Sequence, residues 1–227
     1  MYVYSPAYFA DFGPHVFPVE KYQLVQRALA EAGAPPDSFL EPEPASRAEL
    51  ELVHTPAYLD DLDACRWTER TRWSELPLTP EIVRLFVLSA GGTTLAARTA
   101  LDGGWAMHVG GGFHHAFADR AEGFCYVNDL AVAVRVLQRQ GEIATAAVVD
   151  CDLHQGNGTA RIFQGDDTVF TFSIHQRDLY PVKERSDLDV HLPDGTPDGA
   201  YLDHLRRAVP AILESFQPDL VLYQAGA

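Results

Sequence analysis

Cysteine is scarce: Cys65, Cys125 and Cys151 are an odd, widely spaced set of three. Such a set makes neither a disulfide framework nor a CxxC metal knuckle, and it reads as reduced thiols packed like small hydrophobes. Long apolar runs are also missing. The best stretches, around 82–97 and 144–149, are too short or too interrupted by charge for the ~18–20 residues of a bilayer crossing. The first ten residues lack the basic segment and apolar run of a secretory signal. Positive charge is thin: 17 Lys and Arg stand against 32 Asp and Glu, for a formal net charge of −15, with no basic cluster. That balance argues against direct nucleic-acid binding. A cytoplasmic protein with no membrane partner is the expectation, and its acidic surface suits cationic substrates such as lysine-bearing peptides or polyamines.

What is present is a chain of 227 residues, 47% of them apolar, enough to bury a core without disulfides. Four prolines within 34–45 (Pro35, Pro36, Pro42, Pro44) predict a surface loop. Apolar periodicity predicts a helix over 19–32 that stops at Gly33. Thr55-Pro56 and Thr79-Pro80 are helix starts, the second turning Ile82, Leu85, Phe86 and Ser89 inward. Asn128 caps a helix that Gly141 ends. Leu202, Leu205, Val209, Ile212, Leu213 and Phe216 predict a last helix, bent at Pro210 or starting late there. Short apolar runs at 106–109, 146–149, 169–174 and 220–223 read as strands buried on both faces. Strand and helix alternate, so the fold class is α/β: a single domain with a central, mainly parallel sheet flanked by helices.

Polar residues follow the strands. After 106–109 come Gly110 to Gly112, Phe113, His114 and His115; after 146–149 come Asp150, Asp152 and His154; after 169–174 comes His175. Open α/β sheets bind ligands beyond the carboxyl ends of their strands. In extended backbone Asp150, Asp152 and His154 point one way, with Cys151 and Leu153 toward the core. Carboxylate and imidazole suit zinc, iron or manganese, though a catalytic zinc site needs a third protein ligand from elsewhere. The plainer alternative is a capping Asp and a hydrogen-bonded His. The glycines before His114 and His115 allow a turn that aims both rings into the site, where a His can move protons for a water and a leaving amine; two solvated loop histidines are the alternative. Asn157 either caps the next helix or orients a histidine. Phe124 either lines an apolar channel or packs in the core.

Six ordered segments carry a resemblance: GGGFHHA at 110–116, GFCYVND at 123–129, VVDCDLHQGNGT at 148–159, FSIHQ at 172–176, KERSDLDV at 183–190 and LVLYQAGA at 220–227. Together they resemble the histone deacetylases and their bacterial relatives, and the KERSDLD segment and Asn157 look closer to the class IV-like and bacterial branch than to class I. The resemblance implies the arginase–deacetylase fold across 1–227. It implies zinc, or iron in its place, held by Asp152 and His154. It implies His115 as general base and acid, His114 as its electrostatic support, Asp150 paired with His114, and Asn157 paired with His115, where class I members carry an Asp. Gly123, Phe124 and Tyr180 are implied to contact the substrate, and Asp150 and Ser173 to hold a K+ or Na+ ion. The implied substrate is an acyl-lysine peptide or protein, or an acetylated polyamine.

In the family a third zinc ligand, an Asp, follows the Gly-Ala that is here Gly226–Ala227, and a transition-state Tyr comes later in a Gly-Gly-Tyr segment. Neither is among the 227 residues. The expectation is therefore a domain incomplete at its C-terminal end, with weakened metal binding and weak or no turnover for this chain alone. An acyl-lysine-binding protein without catalysis is the rival reading. An arginase-like two-metal site is disfavoured, because Gly156 stands where the second metal's carboxylate belongs.

Overall fold

The computed structural model describes residues 1–226. Seven strands and seven α-helices run in the order β1 (Tyr2–Val3), α1 (Lys21–Glu31), β2 (Phe39–Leu40), α2 (Arg47–Leu50), α3 (Pro56–Asp63), α4 (Pro80–Gly103), β3 (Met107–His108), α5 (Asp129–Gln140), β4 (Ala146–Asp150), α6 (Asn157–Phe163), β5 (Val169–Gln176), β6 (Leu188–Leu192), α7 (Asp198–Phe216) and β7 (Leu220–Gln224) among the described residues. The strands form two sheets, β2-β1-β3 and β6-β5-β4-β7. Every pairing is parallel, as the βαβ alternation requires. The α/β class is as expected. No described helix is long and apolar enough to cross a membrane.

Two helices frame the centre, and their sequences say why they start and stop. The Thr79 hydroxyl accepts from Ile82 N–H, Pro80 occupies the first turn, and α4 ends at Gly104 with φ +85. Asn128 accepts from Ala131 N–H, and α5 ends at Gly141 in the left-handed region. The inward faces bury Ile82, Leu85 and Phe86 from α4, and Ala131, Val132, Val136 and Leu137 from α5. Each large apolar side chain so buried contributes about 1.5–3 kcal/mol. Leu137 packs in one cluster with Ala146 and Val148 of β4 and with Phe163 and Val169. All five residues of β4 are buried, which leaves its carboxyl end as the point where polar groups emerge.

Four expectations need correction. The proline-rich 34–45 stretch is not wholly loop, because Phe39–Leu40 pairs with Tyr2–Val3. The outer strands are not buried on both faces: Met107, Val221 and Tyr223 are exposed, the last at 64%, because β3 and β7 lie at sheet edges. Helix α7 begins at Asp198 and continues through Pro210. Its Leu202 and Leu213 face outward, while Ile212 alone is fully buried.

Candidate active site

Strand β4 ends at Asp150, and the next four residues are not strand. The side chains themselves make the turn. Asp152 N–H donates to Asp150 Oδ1 at 3.0 Å, and His154 N–H donates to Asp152 Oδ1 at 2.8 Å. These are successive Asx turns, in which a carboxylate holds the backbone two residues on. They bring Asp150, Asp152 and His154 to one edge without the extended backbone expected from their spacing. Leu153 does not face the core: it is 55% exposed, turned out where the chain leaves the sheet.

Asp152 Oδ1 and His154 Nδ1 lie 3.3 Å apart. Two donors bonded to one tetrahedral zinc ion, at about 2.0–2.2 Å each, sit roughly 3.3–3.6 Å from each other. The pair therefore fits a shared divalent ion in chemistry and in spacing. Among the described residues no group of three or more His, Cys, Asp or Glu is arranged as a metal site, so these two are the donors this part of the chain supplies.

The loop 110–116 is pinned from below by α5. Asp129, wholly buried, accepts from Gly112 N–H at 2.9 Å, from Phe113 N–H at 2.7 Å and from the Thr93 hydroxyl. Asn128 Nδ2 donates to Ala116 O and to Thr159 Oγ1, both at 3.0 Å. So held, His114 and His115 do not diverge: their ring centroids are 4.1 Å apart. His114 Nδ1 meets Asp150 Oδ2 at 2.6 Å, and its Nε2 stands 3.9 Å from Asp152 Oδ1. His115 Nδ1 meets Asn157 Oδ1 at 2.8 Å. Asn157 makes no helix cap; its side chain is spent on the histidine.

The partners separate the two rings electrically. Burial pushes His114 down, but the Asp150 carboxylate outweighs it and the net shift is upward. Burial, then the neighbouring His114, drives His115 down to about 2, with the Asn157 bond a partial offset.

Tyr180 and Gly123 border His115, and Phe124 follows Gly123 in the same turn. The Tyr180 ring lies 5.4 Å from His115 and 5.8 Å from His154, edge-on to both. Gly123, at φ +52, approaches so closely that a Cβ would meet the Tyr180 hydroxyl at 2.5 Å and His115 Cδ2 at 2.7 Å. Phe124, also at positive φ, is half-buried against His15 and Phe17. Backbone bonds from Gly123 and Phe124 N–H to Trp73 and Ser74 carbonyls hold this turn. Asp150 and Ser173 are register partners on β4 and β5. Ser173 Oγ also bonds His175 Nδ1 at 2.9 Å, and a hydroxyl that donates there keeps its lone pairs for a cation.

Sequence reasoning missed three residues. Asp129 was visible only as the last letter of GFCYVND. Gln155 is fully buried and ties the 183–189 segment down through Glu184 and Asp189. Glu122 accepts from Asn157 Nδ2 at 2.8 Å.

The model of the histone deacetylase domain matches residues 15–227. This chain belongs to the histone deacetylase family. Every candidate residue of the site falls inside the matched span. An uncharacterized protein of Picosynechococcus sp. is 42% identical over 99% of this chain and 76% of its own length. Histone deacetylase 2 of Arabidopsis thaliana is 32% identical over 99% of this chain, which spans 62% of that protein. Among solved structures, the HDA15 HD domain superposes with a TM-score of 0.82 at 25% identity, over 98% of this chain and 72% of that one.

Proposed function

We propose that this histone deacetylase-family protein hydrolyses the amide of acyl-lysine side chains, acetyl-lysine first among them, at a site that holds one zinc ion. The observation that carries the reading is the arrangement of two imidazoles, one backed by a carboxylate and one by an amide, beside an Asp–His donor pair spaced 3.3 Å apart. Asp152 and His154 would hold the ion, which when bound polarises a carbonyl oxygen and lowers the pKa of a water. Iron suits the same nitrogen and oxygen donors.

The chain's own groups do the rest. His115, kept neutral by burial, takes a proton from the attacking water and passes it to the departing amine. His114, held toward its charged form by Asp150, places positive charge 3.9 Å from Asp152 and beside the reacting region. Tyr180 flanks the His115 and His154 rings, Phe124 adds an apolar surface, and the Gly123 backbone carbonyl accepts from the substrate amide. Asp150 and Ser173 would hold a K+ or Na+ ion that steadies the strand ends. The net charge of −15 draws in cationic substrates.

The test is His115→Ala in a zinc-loaded, active version of the protein extended to carry the family's third zinc ligand and transition-state Tyr. Turnover of an acetyl-lysine peptide is expected to vanish while zinc stays bound; retained turnover removes His115 from this role. Running acetylspermidine beside the peptide sorts a protein deacylase from a polyamine amidohydrolase, with the peptide expected to be the better substrate.

A further inference from the structure

A general base needs its working nitrogen unprotonated, so the tautomer of His115 matters as much as its position. Asn157 faces Nδ1 of that ring, but an amide is nearly symmetric in shape: one end accepts and the other donates. Nothing in Asn157 itself decides which end meets the histidine. With the oxygen inward, Nδ1 carries the proton and Nε2 is free. With the nitrogen inward, Nδ1 must accept, and Nε2 is protonated and useless as a base.

The far end of the amide meets Glu122, with Asn157 Nδ2 donating to Glu122 Oε1 at 2.8 Å. Asn157 is 1% exposed and the Glu122 side chain 19% exposed, so water does not compete freely for this bond. An ionised carboxylate only accepts, so it must take the NH2 end. The oxygen then faces His115, Nδ1 holds its proton, and Nε2 keeps its lone pair on the side of the ring away from Asn157. Arg120 Nη2 stands 3.6 Å from Glu122 Oε2 and supports the charge. Burial, with the Glu122 charge adding to it, keeps the Tyr180 hydroxyl protonated.

We infer that Glu122 is a positioning residue that sets the orientation of the Asn157 amide and, through it, the tautomer of His115. A second consequence follows. A carboxylate at position 157 would sit against the Glu122 carboxylate, and like charges at hydrogen-bond distance cannot both stay ionised at low cost. Glu122 therefore excludes an acidic residue from position 157. The effect on catalysis rests on the proposed hydrolase reading, but the tautomer does not.

The test combines ring 15N NMR of His115 with kinetics on an acetyl-lysine peptide, using a zinc-loaded version extended to carry the family's third zinc ligand and Tyr. The unmodified protein should show a single Nδ1-protonated tautomer. Glu122→Ala should add an Nε2-protonated population and lower kcat roughly tenfold or more at unchanged KM, a share of the ~10²–10⁴ that a positioned base contributes. Glu122→Gln, whose amide can donate as well as accept, should restore both readouts only in part, falling between the unmodified protein and E122A. Asn157→Asp should lose kcat while Glu122 is present and recover it when combined with E122Q. A single Nδ1-protonated ring with unchanged kcat in E122A overturns the inference, as does N157D showing no recovery with E122Q. If no variant, nor the unmodified protein, turns over peptide, the hydrolase reading fails while the NMR arm still decides the role of Glu122.

Discussion

His114 and His115 are neighbours in sequence and equal in burial, at 4% and 5% exposure, yet the structure sends their proton affinities in opposite directions. His114 faces the Asp150 carboxylate; His115 faces the Asn157 amide. Burial alone lowers both, and only a full negative charge within hydrogen-bond reach reverses it. A third buried histidine extends the comparison away from the site. His54 lies between two backbone groups, its Nε2 accepting from Asn128 N–H at 3.1 Å and its Nδ1 bonding Phe117 O at 3.0 Å. With no carboxylate partner among these contacts, it is driven down to about 4 by burial. The identity of the partner, rather than depth, sorts these rings: a carboxylate raises His114, while an amide and backbone groups leave His115 and His54 lowered by burial.

The comparison can be broken in several ways. The largest effect is expected from exchanging the roles. His115→Ala should cost the ~10²–10⁴ of a general base, whereas Asp150→Asn should cost less, about 10–100-fold, by weakening support for His114. Equal losses from both changes would mean that the two rings are not differentiated. Next comes a core control far from the rings. Leu137→Ala should remove about 2–5 kcal/mol of stability, read from the urea midpoint, with kcat per folded molecule unchanged. A kcat loss there would show that the site depends on core packing more than on its own bonds.

The pH dependence of folding sharpens the case of His54. Its folded pKa of about 4 lies below the ~6.5 of an unfolded histidine. Between those values the unfolded chain binds the extra proton, so the histidine's contribution is whole above pH ~6.5 and is lost as pH falls toward 4. The denaturation midpoint should therefore drop across that window, and His54→Gln should flatten the drop. An unchanged slope in that variant would place the acid sensitivity elsewhere. The smallest effect is expected at Gly123→Ala, where a Cβ would crowd Tyr180 and His115 at positive φ. About 1–3 kcal/mol of strain and a raised KM are expected, checked by thermal melting and by steady-state kinetics.

Local signals were legible in the sequence, and remote pairings were not. Thr79-Pro80, Asn128 and Gly141 announce α4 and α5 because capping is settled within four residues. The order of the motifs alone puts His114, His115, Asp150, Asp152, His154 and Asn157 at strand ends that share one edge of the sheet. Strands β1 and β2 are two residues each and exist only through the pairing of Tyr2 with Phe39 and Val3 with Leu40, so no periodicity marks them. Leu153 was misplaced because the Asx turns at Asp150 and Asp152 replace the extended backbone that alternation assumes. The bond from Glu122 to Asn157 spans 35 residues and that from Asp129 to the glycine loop 16–17, distances at which sequence spacing carries no information about contact.

The most direct measurement is an anomalous difference map at the zinc edge, from a crystal of the zinc-loaded protein. A single peak is predicted within about 2.0–2.2 Å of both Asp152 and His154 Nδ1. A map with density elsewhere, or with those two side chains turned away from the ion, would contradict the site described above.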